Sequence, residues 1–217
     1  MIIIIEEITK SFGDVQVLNG VSLRLAKGLV YTLKGGNGSG KTTLLNIISG
    51  FLRPTGGTIR FQDRLMTKYV PYKINRLGIG RTFQDLRLAT QLTVCENILL
   101  ALEKKMFAFP THQQKNRINE ILKKVSLWEK RNELAGEISY GQQKLLTLGC
   151  CIANNADLLL IDEPVAGIDK ANQEKITALI RELKQDGKTI LQIEHNHRYI
   201  EATSDHTFQL ENGVVIC

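Results

Sequence analysis

The segment Gly35–Thr42, GGNGSGKT, constrains this chain more than any other stretch of it. Gly35, Gly36, Gly38 and Gly40 let the backbone turn tightly and aim its N–H groups inward, with Asn37 and Ser39 between them and Lys41, Thr42 and Thr43 closing the run. The apolar stretch Leu29–Leu33 enters the loop, and the spacing of Thr42–Gly50 predicts a helix that stops at glycine. Strand, glycine loop and helix in that order make a cradle for phosphate, because the loop amides and the positive end of the helix dipole face the anion together. In that setting Lys41 is placed against the β- and γ-phosphates and the Thr42 hydroxyl on Mg²⁺.

A second feature lies far downstream. The apolar run Leu158-Leu159-Leu160-Ile161 ends in Asp162-Glu163, so two carboxylates are expected at the carboxyl edge of a sheet, where open α/β sheets bind their ligands. Successive strand residues point in opposite directions, which separates their roles. Asp162 suits the Mg²⁺ shell, and Glu163 suits the base or water-orienting group. Between the two features, Ser139–Gln143 reads SYGQQ. Ser139-x-x-Gln142 has the form of a capping box, and a helix N-terminus carrying a serine and Gly141 is also an anion site. The two readings are compatible.

The rest of the chain fits one α/β domain with an inserted helical stretch. Ile2–Ile8, Gly13-Asp14 and Val21–Leu25 suggest antiparallel strands, and a further strand is expected near Thr58–Phe61. From Val94 to about Trp128 the apolar spacing turns helical, with Pro110 between two helices. A helix from Ser139 to about Ala153, strands at Asp157–Ile161 and Thr189–Ile193, a helix over Lys170–Gln185 and a terminal hairpin around Asn212-Gly213 complete the pattern. No apolar stretch approaches the roughly 20 residues that cross a bilayer. Cys95, Cys150, Cys151 and Cys217 show no ligand spacing, and adjacent Cys150 and Cys151 pair poorly as a disulfide, which points to a reduced, cytosolic setting. The net charge of +6 is uneven. Between Ala101 and Asn132 eight basic residues, Lys104 and Lys105 among them, face only Glu103, Glu120 and Glu129. Such a surface meets nucleic acid or anionic lipid, or is simply a solvated helix face.

With these motifs in order, the chain resembles the ATP-binding subunit of an ABC (ATP-binding cassette) transporter over nearly its whole length. GGNGSGKTT resembles the Walker A loop, LLLIDE the Walker B strand and ISYGQ the family signature. Ile138 and Tyr140 depart from the usual leucine and glycine of that signature, and Lys34 departs from the apolar residue that usually precedes the loop. Tyr140 followed by a second glutamine, and the stretch Arg81–Leu88 continued by Leu92–Asn97, resemble the branch that serves branched-chain amino acid importers. The resemblance implies a P-loop NTPase core at 1–84 and 157–217, with an N-terminal antiparallel β region, and a helical subdomain carrying the signature at 85–156. It further implies that Gln84 contacts Mg²⁺ and water, that His195 is the switch histidine near the γ-phosphate, that Asp169 lies in the loop crossing to a partner subunit, and that Phe12 stacks on adenine.

The implied mechanism is a head-to-tail pair of cassettes with two ATP molecules between them. Each site joins Lys41, Thr42, Gln84, Asp162, Glu163 and His195 of one subunit to Ser139 and Gly141 of the other. Transport then needs separate membrane subunits, with the cassette peripheral on the cytoplasmic face of the cell membrane and no nucleic acid partner. The chain is short for an importer ATPase of this branch. Two alternatives stay open: a lipopolysaccharide-export type of ABC ATPase, and a soluble ABC ATPase acting on nucleic acid or ribosomes.

Overall fold

The computed structural model describes residues 1–84, 86–102 and 111–216. The expected break at Pro110, the charges of Glu103, Lys104 and Lys105, and Asp85 and Cys217 lie outside the described residues.

Two sheets carry the fold. Strands β1 (Ile3–Phe12), β2 (Val15–Leu25), β4 (Gly56–Phe61) and β5 (Arg64–Leu65) form an antiparallel sheet ordered β2-β1-β4-β5. The turn at Gly13 and Asp14 separates β1 from β2 as the sequence predicts, but β1 runs on to Phe12, beyond the expected end at Ile8. The second sheet is ordered β10-β9-β3-β8-β7-β6, from β3 (Val30–Lys34), β6 (Ile79–Arg81), β7 (Leu158–Asp162), β8 (Thr189–Ile193), β9 (His206–Glu211) and β10 (Val214–Ile216). Its strands β9, β3, β8, β7 and β6 are parallel, and β10 returns antiparallel on β9. A bond from the Asn19 N–H to the Gly213 carbonyl at 2.7 Å ties the two sheets together.

Every residue of β7 and β8 is buried, because both faces of the parallel sheet are covered. Leu158 and Leu160 pack with Leu44 and Leu45 of α1 (Lys41–Ile48) and with the antiparallel sheet. Leu159 and Ile161 face the other way, into a cluster with α3 (Val94–Leu102), α4 (His112–Lys124), α5 (Tyr140–Ala153) and α6 (Lys170–Gln185). The helical stretch follows its apolar spacing: Val94 and Ile98 of α3, and Ile118, Ile121 and Leu122 of α4, are all buried. Part of its positive charge is neutralised on the spot, since Lys124 pairs with Glu182 and Asp186, Arg117 with Glu120 and Lys130 with Glu133.

The elements with no counterpart in the sequence reading include α2 (Pro71–Leu77), the two-residue strand β5, β6 and α7 (His197–Thr203). Helix α2 carries proline in its first turn and ends on Gly78 at φ 102°, a signature that was present in the sequence. Strand β6 is three residues long and gives no periodic signal; it exists because Ile79, Gly80 and Arg81 pair with Leu158, Leu159 and Leu160. Other strand boundaries shift too: β2 begins at Val15 rather than Val21, and β7 begins at Leu158 and includes Asp162 rather than spanning Asp157–Ile161.

Candidate nucleotide-binding site

The glycine loop leaves β3 and enters α1 at its buried core end. Gly40 is the N-cap of α1 at φ 99° with no side-chain cap, so the first-turn N–H groups of the helix have no side chain over them. A Cβ on Gly40 would lie 2.7 Å from Leu18, and its left-handed backbone disfavours any larger residue. Gly36, Asn37 and Gly38 are exposed, Ser39 and Thr43 half-buried, and Thr42 opens to solvent at the first turn. Lys41 is buried and folds back, its Nζ donating to the carbonyls of Gly35 at 2.8 Å and Gly36 at 2.7 Å. Burial lowers the pKa of that amine, against the pull of Glu163 and Asp162. Glycine loop and carboxylates therefore share one electrostatic neighbourhood.

The parallel order β3-β8-β7-β6 explains that neighbourhood. Four chain segments leave the same carboxyl edge of adjacent strands: the glycine loop after β3, His195 after β8, Glu163 after β7 and Gln84 after β6. Asp162 closes β7 on the same side as Leu158 and Leu160, the side that packs on α1. Its N–H donates to the Thr82 hydroxyl at 3.1 Å. Its Oδ2 is buried and has no hydrogen-bond partner among the described residues. Burial raises its pKa, opposed first by Arg81. A buried carboxylate oxygen lacking a donor, at the strand edge from which the glycine loop leads to Thr42, fits a hard divalent cation such as Mg²⁺.

Glu163 is half-buried in left-handed backbone at φ 47°, with its N–H on the Ile193 carbonyl at 3.0 Å. His195 is exposed just before α7, and Gln84 is exposed at a bend. His197 and His206 are exposed as well. Phe12 ends β1 at 49 % exposure, with the Lys10 amine 4.9 Å from its ring centre, so it is not a core side chain.

The signature residues form a separate cluster. Ser139 is the N-cap of α5: the Gln142 N–H donates to its Oγ at 3.3 Å, and the Ser139 N–H donates to Gln142 Oε1 at 2.9 Å. The predicted capping box is present in full. Gly141 is buried where a Cβ would lie 2.5 Å from Asn172 Nδ2, and Asn172 is in turn bonded to Asp169, the exposed N-cap of α6. No hydrogen bond among the described residues joins Ser139, Gly141, Gln142 or Asp169 to the glycine loop.

Three residues at this edge receive no role from the sequence. Arg81 donates to Ser49 Oγ at 2.6 Å and neighbours Asp162, and burial pushes its pKa down to about 10. Lys144 and Glu194 are buried ions that hold the turn after β7. Position 144 lies four residues before Leu148 on the buried stripe of α5, and a charge on that stripe was the available clue. Lys34 ends β3 opposite Gln209, and nothing in the structure explains why it replaces an apolar residue.

The family model described as ABC transporter matches residues 18–166. The chain belongs to the ABC transporter family. The cassette is 34 % identical over 220 residues to the high-affinity branched-chain amino acid transport ATP-binding protein BraF of Pseudomonas aeruginosa, covering 95 % of this chain and 86 % of that protein. It is equally 34 % identical to a probable LivG protein of Methanocaldococcus jannaschii named for the same transport, over 97 % of this chain and 86 % of that one. Among solved structures it superimposes on a nucleotide-free ATP-binding cassette from an ABC transporter with a TM-score of 0.90 at 33 % identity, covering 100 % and 90 % of the two chains. A dimeric bacterial ABC transporter cassette matches with a TM-score of 0.88 at 28 % identity, covering 99 % and 97 %. The fold expected from the sequence, an α/β nucleotide-binding core with an antiparallel β region and inserted helices, is that of these ABC cassettes.

Proposed function

We propose that the chain is the ATP-hydrolysing subunit of a transporter for branched-chain amino acids, acting as a head-to-tail pair beneath separate membrane subunits. The observation that carries this reading is the division of the site. Lys41, Asp162 and Glu163 gather at one sheet edge, while the capped helix start at Ser139 and Gly141 belongs to another part of the same chain. A second copy, or a related subunit, supplies the missing half over the γ-phosphate. The names of the relatives, branched-chain amino acid transport ATP-binding proteins, support the cargo over lipopolysaccharide export or a nucleic acid role.

In this reading Phe12 stacks on adenine, and the glycine loop with Lys41, Thr42 and Thr43 holds the phosphates. Thr42, Asp162 and Gln84 would hold a Mg²⁺ ion, which would supply charge neutralisation at the transferring phosphate. Glu163 orients and deprotonates the attacking water, and His195 faces the γ-phosphate from the neighbouring strand end. From the partner, Ser139, Gly141 and Gln142 close over that phosphate, with Asp169 at the crossing loop. The segment 85–156 acts as the lever toward the membrane. No helix among the described residues is long and apolar enough to cross a bilayer, so the translocation path is assigned to other chains. A groove beside Gln84, lined by Phe51, Tyr72, Arg81 and Phe83, offers exposed aromatic surface for them.

Size measurement of a Glu163→Gln form tests the pairing. With ATP it should run as a dimer and without ATP as a monomer, while turnover falls by about 10²–10⁴-fold. A monomer that captures ATP tightly at every concentration contradicts the reading.

A further inference from the structure

The turn that follows β7 is held from both sides by buried charges of opposite sign. Lys144 on α5 is 8 % exposed, and its Nζ donates to the Glu163 carbonyl at 2.6 Å and the Ala166 carbonyl at 2.8 Å. Glu194, 3 % exposed at the end of β8, accepts the Val165 N–H on Oε1 at 3.2 Å. Its Oε2 accepts the N–H of His195 and, at 3.0 Å, that of Asn196. Neither side chain is in an ion pair among the described residues.

A buried ion is costly unless its surroundings compensate it; here backbone carbonyls and N–H groups hold both side chains, and the carboxylates of Glu194, Glu163 and Asp162 also favour the Lys144 charge. Hydrogen bonds with one charged partner are roughly twice as strong as neutral ones. The groups they bind are the ones that need holding. Glu163 sits in left-handed backbone, which a non-glycine residue keeps only when its surroundings fix it. Lys144 grips the carbonyl of that residue, and Ile193 grips its N–H. Glu194 joins the same turn to the loop that carries His195.

We propose that Lys144 and Glu194 are positioning residues for hydrolysis: as a two-charge clamp on residues 163–166, they fix Glu163 and His195 relative to one another. The inference rests on the assignment of Glu163 and His195 to the reaction. Neither clamp residue touches the nucleotide; both act through the backbone.

The test compares Lys144→Met, Lys144→Arg and Glu194→Gln with a Glu163→Gln reference, measuring steady-state ATPase, ATP affinity and amide exchange. Lys144→Met and Glu194→Gln should each lose at least about tenfold in kcat, as expected for a slightly misplaced reacting group, with KM and Kd for ATP changed less than about threefold. Lys144→Arg keeps the donors and should recover part of the rate. Exchange at the Val165 amide should quicken by about tenfold in Glu194→Gln. Should Lys144→Met fail to fold, the near-isosteric Glu194→Gln decides. A kcat within twofold of the parent in both variants, with Glu163→Gln inactive, overturns the clamp; so does a loss of rate matched by a loss of ATP affinity. If Glu163→Gln itself turns over normally, the assignment of Glu163 fails instead, and unchanged Val165 exchange is then what removes the clamp.

Discussion

The amine of Lys41 lies 2.7 Å from the carbonyl oxygen of Gly36, so this lysine is folded back onto the loop that precedes it. Its positive charge rests on loop carbonyls, and in the proposed function phosphate binding exchanges those partners for phosphate oxygens. Charged hydrogen bonds of this kind contribute about 1.5–3 kcal/mol, so Lys41→Met should weaken ATP binding roughly 10–100-fold. Calorimetric titration checks this; an affinity within twofold of the parent refutes the placement of Lys41.

Asp162 should show a pH dependence opposite in sign to that of an ion-paired aspartate. Burial raises its folded pKa above the unfolded value, with Arg81 opposing. Its contribution to stability is then fully present below the unfolded pKa and lost as pH rises through the folded one. The same burial leaves one oxygen of this carboxyl group without a hydrogen-bond partner among the described residues. Asp162→Asn should therefore leave ligand-free stability equal or raise it by about 1 kcal/mol, while Mg²⁺-dependent hydrolysis is lost. Thermal melts at neutral pH together with a Mg²⁺ titration of ATPase decide. A marked drop in melting temperature counts against this reading of the site.

Ser139 and Thr111 head two capping boxes of nearly equal geometry. The cap bonds are 3.3 Å and 2.9 Å at Ser139, and 3.2 Å and 2.8 Å at Thr111. Alanine at either position should cost about 1 kcal/mol of stability through loss of the cap. Only Ser139→Ala should abolish ATP-dependent dimer formation in the Glu163→Gln background. Equal effects of the two substitutions on dimer formation would reduce Ser139 to a helix cap.

The cysteines of α5 should be inert in the folded protein. Burial pushes the Cys150 thiol up to about 12 and raises Cys151 as well. Since the thiolate is the reactive species, alkylation of both at neutral pH should run roughly 10²-fold or more slower than that of a free thiol. Site-resolved mass spectrometry after iodoacetamide treatment checks this, and rapid labelling of Cys150 under native conditions would show that α5 opens locally.

The amino-acid sequence alone determined the features that depend on near neighbours. The glycine loop before α1, the capping box at Ser139, the bounds of α6 and β8 and the two carboxylates after an apolar strand all follow from spacing and residue type over one or two turns of chain. Tertiary structure decided what depends on residues far apart in the chain. The three residues of β6 become a strand only through β7, and that pairing brings Gln84 to the edge where the glycine loop, Glu163 and His195 emerge. Lys144 and Glu194 look like ordinary helix and strand-end charges until the fold buries them against carbonyls and N–H groups of the 163–166 turn. Local periodicity encodes which face of an element is apolar; it does not encode which backbone groups a buried charge will meet, because those arrive only when β7, β8 and α5 pack together.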